Sequence, residues 1–211
     1  NMIKGILRGI IVMVLLMGLL IGGAAQARPI TEGEITMDDV KNAHEDWCQP
    51  LDKDEAEWCQ KVDEAQEKWK EGIINIGEAQ GDPQEYNCRA EKFVDELYGY
   101  DEGEVFFKPT KALEPNQFRL TEKKAVCYFV GGALCPPDDT GFALHPWEYV
   151  EFDNVGIITD SDSAVVMGNY YFTDANSDEM MVEYTFGYIR GDDGELLINV
   201  HHSSLPYEPP Q

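Results

Sequence analysis

The first half of the chain carries apolar residues at intervals of three and four, which is the spacing of amphipathic helices. Asp52 and Glu55 suit the start of the first of these helices. Its apolar face is predicted to consist of Trp58, Val62, Ala65, Trp69, Ile73 and Ile76. Because its other side is rich in carboxylates, we predict a helix with a solvated acidic surface.

A second helix is marked at both ends. Asp82 is a suitable N-cap, Pro83 suits the first helical position, Glu85 stands at the third and Gly99 ends the helix. Its apolar stripe consists of Ala90, Phe93, Val94 and Leu97. This pattern predicts a helix that packs through one face.

Two shorter elements follow the second helix. Residues 105–108 are predicted to form a short strand. Thr121 can cap a third helix that runs to about Phe129, before Gly131 and Gly132 stop it.

The period of the apolar residues changes to two in the C-terminal half, which is typical of β-strands. Four runs rich in Val, Ile, Tyr and Phe are separated by turn residues, and they cover residues 147–156, 163–173, 181–190 and 196–203. Short turns between such runs favour antiparallel hairpins. Helices followed by an antiparallel meander predict an α+β fold, with the helices packed on a curved, cone-shaped sheet whose mouth is a natural ligand site.

The N-terminal segment has the three parts of a secretory signal peptide. Lys4 and Arg8 give a basic start, residues 10–22 an apolar run, and Ala25-Gln26-Ala27 the small residues before a cleavage site. An uncleaved membrane anchor is the alternative, since the apolar run is only slightly short of a bilayer span. We predict a signal peptide over residues 1–27, an acidic helical extension over 28–68 and one folded domain over 69–211. The mature protein is expected to be periplasmic or secreted, without membrane attachment.

Acidic residues dominate the charge of the chain. Its 211 residues include 40 Asp and Glu against 16 Lys and Arg, a formal net charge of −24. Phosphate backbones and anionic lipid surfaces attract basic proteins, so both are excluded as partners. The 43% apolar and 11% aromatic content is enough for a buried core, so we predict a folded acidic protein.

Five cysteines are present: Cys48, Cys59, Cys88, Cys127 and Cys135. An exported protein meets an oxidising compartment in which disulfides persist. Because the number is odd, at least one thiol stays free unless it pairs between chains, and the sequence leaves the pairing open. The sequence has no C-x-x-C spacing, which argues against a thioredoxin-like redox site or a zinc ribbon.

Histidine is scarce, with only His44, His145, His201 and His202. A catalytic zinc site usually has three protein ligands and an open position. Adjacent residues of a strand point to opposite faces, so His201 and His202 cannot share a pocket. A three-histidine zinc site is therefore disfavoured, whereas a mixed histidine and carboxylate site stays open. The sequence also lacks the glycine-rich nucleotide loops and the G-x-S-x-G elbow.

Strict alternation along the last strand predicts which side chains share a face. The two predicted faces are Asn199, His201 and Ser203 on one side and Ile198, Val200, His202 and Ser204 on the other. We therefore expect His201 and Ser203 to face the same space.

Six short blocks occur in order along the chain. They are LYGYDEG at 97–103, FKPTKA at 107–112, YFVGG at 128–132, GNYYFT at 168–173, EYTFGY at 183–188 and HHSSLPY at 201–207. Together they resemble the iota class of carbonic anhydrases, and the resemblance extends over residues 69 to 207. It implies the cone fold of nuclear transport factor 2 (NTF2-like, also SnoaL-like), which the association domain of calcium/calmodulin-dependent kinase II shares.

The resemblance also implies an activity, the reversible hydration of carbon dioxide to bicarbonate. Residues 69–211 would then be an NTF2-like carbonic anhydrase domain that takes carbon dioxide and bicarbonate and forms a homodimer through the outer face of its sheet. No cofactor is expected, because the class has members with and without metal and the scarcity of histidine favours the metal-free form. Zinc or manganese stays open.

Matching of the blocks assigns the family's pocket residues to Thr110, Tyr128, His201 and Ser203. In the mechanism that this implies, Ser203 and Thr110 hold the water molecule and Tyr128 donates a hydrogen bond to an oxygen of carbon dioxide. His201 accepts or relays the proton.

Two other interpretations stay open. The first is a non-catalytic small-ligand binding or assembly module on the same fold, because a fold alone does not specify a function. The second is proton transfer in the manner of ketosteroid isomerase, which needs a pocket carboxylate as base. Glu151, Asp153 and Glu183 are candidates for that base by residue type.

Overall fold

The computed structural model describes residues 47–50 and 53–209. The predicted signal peptide, about half of the acidic extension, His44 and the helix start at Asp52 lie outside the described residues. Among the residues that are described, no helix is both long and apolar enough to cross a lipid bilayer.

Within the described residues, three α-helices precede most of the sheet, as the apolar spacing predicts. They are α1 (Lys53–Glu78), α2 (Pro83–Leu97) and α3 (Glu122–Val130). The predicted apolar face of α1 is buried along its whole length. The predicted domain boundary between residues 68 and 69 lies inside this uninterrupted helix.

The helix caps are those that the sequence indicates. Asp82 accepts hydrogen bonds from the backbone N–H groups of Gln84 and Glu85 at the start of α2. Thr121 accepts one from the backbone N–H of Lys124 at the start of α3. These side chains satisfy donors that the first turn of a helix leaves without an internal partner.

Five strands form one curved sheet in the part of the chain that the structure describes. They are β1 (Phe106–Lys108), β2 (Trp147–Thr159), β3 (Ser163–Asp174), β4 (Glu179–Arg190) and β5 (Leu196–Ser204). Their order is β1-β5-β4-β3-β2, with β2 to β5 as an antiparallel meander and β1 parallel to β5. The predicted α+β class, with helices packed on a curved sheet, is confirmed.

A β-bulge interrupts the alternation of side chains in β5. Gly187 of β4 pairs with Val200, but the next residue, Tyr188, pairs with Ile198, so β5 has one residue more than its partner at this point. A Cβ atom on Gly187 would lie 2.9 Å from Oδ1 of Asn199 and 3.0 Å from Cβ of Val200. Asn199 and Val200 therefore both lie on the outer face of the sheet.

This bulge corrects the predicted faces of the last strand. Ile198 is buried on the inner face together with His201 and Ser203, whereas Asn199 is not. The prediction was wrong for Ile198 and Asn199 because an extra residue shifts the alternation by one position. Beyond the bulge the expected pattern holds, and His202 is exposed on the side opposite His201.

A second bulge, in β2, brings an amide into the core. Asn154 pairs with Gly168 and Gly156 pairs with Met167, so Val155 is the additional residue. The buried Asn154 exchanges hydrogen bonds of 2.9 and 3.0 Å with the amide of Gln66 from α1. This exchange fixes α1 on the inner face of the sheet through buried polar contacts.

Aromatic rings fill the space between α1 and the sheet. Trp69 stacks on Tyr170 at 5.6 Å between ring centroids, and Tyr170 stacks on Tyr184 at 5.2 Å. Phe172 and Phe186 pack against the Trp69 ring at 6.2 and 6.0 Å. Tilted and stacked ring pairs at these distances are favourable beyond the apolar area that they bury.

Two disulfides resolve the open question of cysteine pairing. Cys48 is bonded to Cys59, and Cys127 of α3 is bonded to Cys135 in the following loop. Cys88 is the free cysteine and is exposed on α2. The second disulfide lies one residue from Tyr128, so it ties the helix that carries this tyrosine to the loop beyond it.

Candidate active site

Strands β1 and β5 form one wall of the candidate site. Their parallel pairing places Phe107 opposite His201, and the two rings stack at 4.3 Å. Lys108 donates a hydrogen bond of 2.9 Å from Nζ to the backbone carbonyl of Ser203. Both His201 and Ser203 are almost completely buried, at 2% and 1% exposure.

Three hydroxyl groups meet where β1 ends. Thr110 follows β1 directly, and its Oγ1 donates a hydrogen bond of 2.8 Å to Oγ of Ser203. Tyr128 reaches the same point from α3, where its hydroxyl contacts the side chain of Thr110 and the backbone of Lys111. Burial raises the pKa of Tyr128, so its phenol stays protonated and can donate a hydrogen bond.

Tyr170 of β3 connects these hydroxyls to the histidine, and sequence reasoning missed it. Its hydroxyl lies 3.4 Å from Nε2 of His201 and hydrogen bonds with Ser203 and Thr110. Burial raises the pKa of Tyr170 to about 12, although these hydrogen bonds act in the opposite direction. Alternation along β3 places Tyr170 on the inner face, but that signal does not distinguish it from the purely structural rings beside it.

His201 is held between two tyrosine hydroxyls. Nδ1 lies 2.9 Å from the hydroxyl of Tyr98, which itself accepts a hydrogen bond of 3.1 Å from Nε1 of Trp69. Burial, together with the nearby His202 and Lys108, lowers the pKa of His201 well below its usual value. The imidazole is therefore neutral at pH 7.

The structure thus brings all four sequence-predicted residues into one cluster. Thr110 contacts both Ser203 and Tyr128, and His201 reaches the hydroxyls through Tyr170 rather than directly. Tyr98 and Tyr170 complete the cluster.

A cavity of about 380 Å³ adjoins the cluster. Tyr128 and Lys111 line one side of it, and Phe142 and Trp147 line another. Tyr128 lines this cavity and contacts Thr110, so the cavity adjoins the hydroxyls through Tyr128. A larger groove of about 1220 Å³ runs along α1 and α2, but none of the four predicted site residues lines it.

A buried ion pair holds the loops around this cavity. Arg119 is fully buried, and its guanidinium pairs with Asp139 and lies 3.9 Å from Asp138. Its backbone N–H donates to the carbonyl of Phe107 at 2.7 Å, and its own carbonyl accepts from the hydroxyl of Tyr100 at 2.7 Å. The pair therefore connects the segment after Thr110 to the loop that follows α3.

The carboxylates proposed for isomerase-like proton transfer lie elsewhere. Glu151, Asp153 and Glu183 alternate with the buried residues of β2 and β4 and so face outward. Asp139 is the carboxylate that acts electrostatically on Tyr128, and it is engaged by Arg119. The site is lined by hydroxyls and one imidazole, which disfavours a carboxylate base.

Within residues 47–50 and 53–209, no three or more His, Cys, Asp or Glu side chains are grouped closely enough to hold a metal ion. His145 lies beside Asp174 near the surface, at 3.3 Å, apart from His201 and His202.

Known proteins are similar to this chain over the residues that form the candidate site. A family profile described as metal-independent carbonic anhydrase matches residues 60–205. A curated metal-independent carbonic anhydrase from Nostoc sp. (strain PCC 7120 / SAG 25.82 / UTEX 2576) is 45% identical over 119 residues, 56% of this chain and 58% of the relative. The chain thus spans about 58% of the length of that relative.

Solved structures are also similar to the chain. A crystal structure of the iota-carbonic anhydrase from a cyanobacterium, complexed with bicarbonate, matches with a TM-score of 0.68 and 39% identity, covering 71% of this chain and 93% of that chain. A structure described as a calcium/calmodulin dependent protein kinase II association domain from Xanthomonas campestris has a TM-score of 0.47 and 24% identity, covering 76% of this chain and 93% of that one.

Proposed function

The chain belongs to the family of metal-independent carbonic anhydrases, and from this premise we propose that it catalyses the reversible hydration of carbon dioxide to bicarbonate. The resemblance seen in the six sequence blocks agrees with that membership. The observation that carries the proposal is the convergence of Thr110, Tyr128 and Ser203 on one point beside a cavity, within the matched residues.

The hydroxyl pair of Thr110 and Ser203 is suited to hold the reacting water. Free water has a pKa near ~15.7, so free hydroxide is not the reagent at neutral pH. A water molecule that hydrogen bonds to both hydroxyls is oriented toward a carbon dioxide molecule in the adjoining cavity. Fixing two reactants in this way removes much of the entropic barrier to their reaction.

Tyr128 supplies the hydrogen bond that stabilises the developing charge. As water attacks the carbon, negative charge grows on the oxygens of carbon dioxide, and a fixed phenol donor stabilises it. The raised pKa of Tyr128 keeps the proton on this donor. In other enzymes a donor of this kind contributes ~2.7–4 kcal/mol.

The proton lost by water leaves through hydroxyls rather than onto the histidine. The expectation that His201 accepts the proton is revised here, because its pKa is lowered and Tyr170 stands between it and Ser203. A hydroxyl can accept one proton while it releases its own. Carbon dioxide and water thus give bicarbonate at the cluster and one proton, which solvent takes up at the half-buried Thr110.

No metal takes part in the mechanism that we propose. The description of the family supports this, and hydroxyl donors can provide the polarisation that a metal supplies in zinc enzymes.

Stopped-flow measurement of carbon dioxide hydration tests the proposal. The purified protein is assayed before and after exhaustive chelation, and the two rates are expected to be equal. Activity that is lost on chelation and restored by zinc or manganese would disprove the metal-free mechanism. If neither sample hydrates carbon dioxide, the proposed activity is disproved and a non-catalytic binding or assembly module is favoured.

Two further properties belong to this proposal. Export to the periplasm or the medium is supported by the N-terminal pattern and is compatible with the two disulfides. A homodimer through the outer sheet face is supported by the exposed apolar side chains Ile158, Val165 and Met167.

A further inference from the structure

Tyr98 connects a core tryptophan to the site histidine. Its hydroxyl lies 3.1 Å from Nε1 of Trp69 and 2.9 Å from Nδ1 of His201. An indole N–H can only donate, so the Tyr98 oxygen accepts from Trp69. The single proton of the Tyr98 hydroxyl is then available for Nδ1 of His201.

The opposite arrangement leaves a buried hydroxyl without an acceptor. If Nδ1 carried a proton and donated to Tyr98, the Tyr98 oxygen would accept twice and its own proton would need another partner. Tyr98 is 2% exposed, and its hydroxyl partners among the described residues are Trp69 and His201. A buried donor without an acceptor bears its full desolvation penalty, so this arrangement is disfavoured.

A neutral imidazole carries one proton, and Nδ1 is an acceptor here. The proton is therefore on Nε2, which faces the hydroxyl of Tyr170 at 3.4 Å. As the oxygen of Tyr170 accepts from Nε2, its own proton is directed toward Ser203 and Thr110. The series of hydrogen bonds then runs in a single direction: Trp69 donates to Tyr98, Tyr98 donates to His201, and His201 donates to Tyr170.

We propose that Trp69 and Tyr98 are positioning residues that hold His201 as its Nε2–H tautomer, so that Tyr170 directs a hydrogen bond donor at the reacting hydroxyl cluster. This inference rests on the proposed hydration of carbon dioxide. It gives His201 the role of a donor to Tyr170 and makes Tyr170 a second donor beside Tyr128.

Ring packing keeps this chain of hydrogen bonds in place. Trp69 stacks on Tyr170 at 5.6 Å, and Phe107 stacks on His201 at 4.3 Å. Tyr98 is also stacked, on Tyr100 at 6.2 Å. None of these rings can turn without displacing its neighbours, so the orientation of the imidazole is fixed before substrate binds.

Nuclear magnetic resonance of the full protein with ¹⁵N-labelled histidine tests the tautomer directly. Signals of the other histidines are identified by His44→Asn, His145→Asn and His202→Asn, one at a time. For His201 we expect a protonated, pyrrole-type Nε2 and an unprotonated, pyridine-type Nδ1. A protonated Nδ1 would overturn the proposal, and this measurement needs no change at the site.

Tyr98→Phe tests the positioning role, because it removes the hydroxyl and keeps the ring. We expect His201 to become a mixture of tautomers and kcat to fall about tenfold or more with little change in KM, which is the lower end of the effect of losing the partner of a metal-ligating histidine. Tyr100→Phe is the matched control, since the Tyr100 hydroxyl bonds to the Arg119 carbonyl instead. An unchanged His201 spectrum in Tyr98→Phe would refute the role of Tyr98.

The two proposals fail in different ways. A wild-type protein that shows the Nε2–H tautomer but does not hydrate carbon dioxide disproves the function and supports the hydrogen-bond order. A protein that hydrates carbon dioxide but has the other tautomer disproves only the role of Trp69 and Tyr98.

Discussion

At the scale of single residues, the hydroxyls of Ser203 and Thr110 are the most direct test of the site. Each is expected to hold the reacting water, and together they are 2.8 Å apart. Ser203→Ala and Thr110→Ala are each predicted to lower kcat/KM for carbon dioxide hydration about 100-fold, the effect of losing one fixed donor in other enzymes. Stopped-flow rates measure this change.

His202→Ala is the control for these variants, because the His202 side chain lies on the outer face of the sheet. Circular dichroism establishes that each variant keeps its fold. Unchanged activity in Ser203→Ala would show that this hydroxyl does not hold the water.

The buried His201 predicts how stability depends on pH. Its folded-state pKa is lowered below the usual 6.5, so on acidification the unfolded chain binds a proton before the folded one does. The contribution of the neutral His201 to the free energy of unfolding is therefore complete above about pH 6.5. It decreases as the pH falls below this value, by up to about 1.4 kcal/mol per pH unit. Urea unfolding between pH 7.5 and 5.5 measures this slope.

His201→Gln cannot take up this proton and is predicted to reduce the slope. His145→Asn serves as the comparison, since His145 lies near the surface and apart from His201. A slope that is the same in His201→Gln and wild type would assign the acid sensitivity to other groups.

Some residues of the candidate site were predictable from the sequence and others were not. The family resemblance assigns pocket roles to Thr110, Tyr128, His201 and Ser203, but not to Tyr98 and Tyr170, although both tyrosines stand in the same blocks. Tyr170 and Tyr98 reach His201 from positions 31 and 103 residues away in sequence. No local spacing distinguishes them from the core aromatics, because their role depends on which side chain lies across the fold.

At the scale of elements, the bulges at Val155 and at Asn199 are each faced by a glycine on the neighbouring strand. Gly168 lies opposite the β2 bulge, and a Cβ atom there would be 2.1 Å from the backbone oxygen of Asp153. Backbone cannot move aside as a side chain can. Gly168→Ala is therefore predicted to lower the free energy of unfolding by about 1–3 kcal/mol, as overpacking does elsewhere.

Gly156→Ala is the matched control for Gly168→Ala. It lies in β2 close to the same bulge, but a Cβ atom there would have no neighbour within 4 Å. Urea unfolding of both variants is expected to show destabilisation that is clearly larger for Gly168→Ala. If both variants lower the free energy of unfolding equally, contact with the Asp153 backbone does not explain the destabilisation of Gly168→Ala.

The disulfide beside Tyr128 is predicted to contribute to stability. Cys127 and Cys135 are separated by 8 residues, and closing a loop of that size in the unfolded chain corresponds to about 2–3 kcal/mol. The double variant Cys127→Ala with Cys135→Ala is expected to lose about this much in urea unfolding.

Cys88→Ala is the control here, because this thiol is free and exposed. It is expected to unfold as wild type does. A double variant that is as stable as wild type would assign the disulfide no stabilising role.

The elements were largely predictable, and their irregularities were not. The helix caps at Asp82 and Thr121 and the change of period from 3.6 to 2 are local signals, so the helices and strands were found within a few residues. The bulge at Asn199 arises from pairing with β4, which a single strand does not encode. Glycines inside strands, such as Gly187, are the available hint of a bulge.

At the scale of the whole molecule, the outer face of the sheet predicts self-association. Ile158 and Val165 pair across β2 and β3, and Ile158 and Met167 are 76% and 56% exposed. We expect the double variant Ile158→Lys with Met167→Lys to be monomeric in analytical ultracentrifugation, since burying two ammonium groups in an apolar contact is costly.

Leu134→Lys is the control for surface charge, because Leu134 is exposed in the loop after α3. It is expected to leave the wild-type association unchanged. A wild-type protein that is monomeric at all accessible concentrations would contradict the homodimer.

The parallel pairing of β1 with β5 also affects the order of folding events. Thr110 and Ser203 are 93 residues apart in sequence, and they meet only when the final strand of the sheet lies beside one of the first elements. Closing so long a loop is entropically costly, and such distant pairings form slowly. The newly synthesised chain therefore forms its hydroxyl cluster last, and early folding intermediates are catalytically inactive.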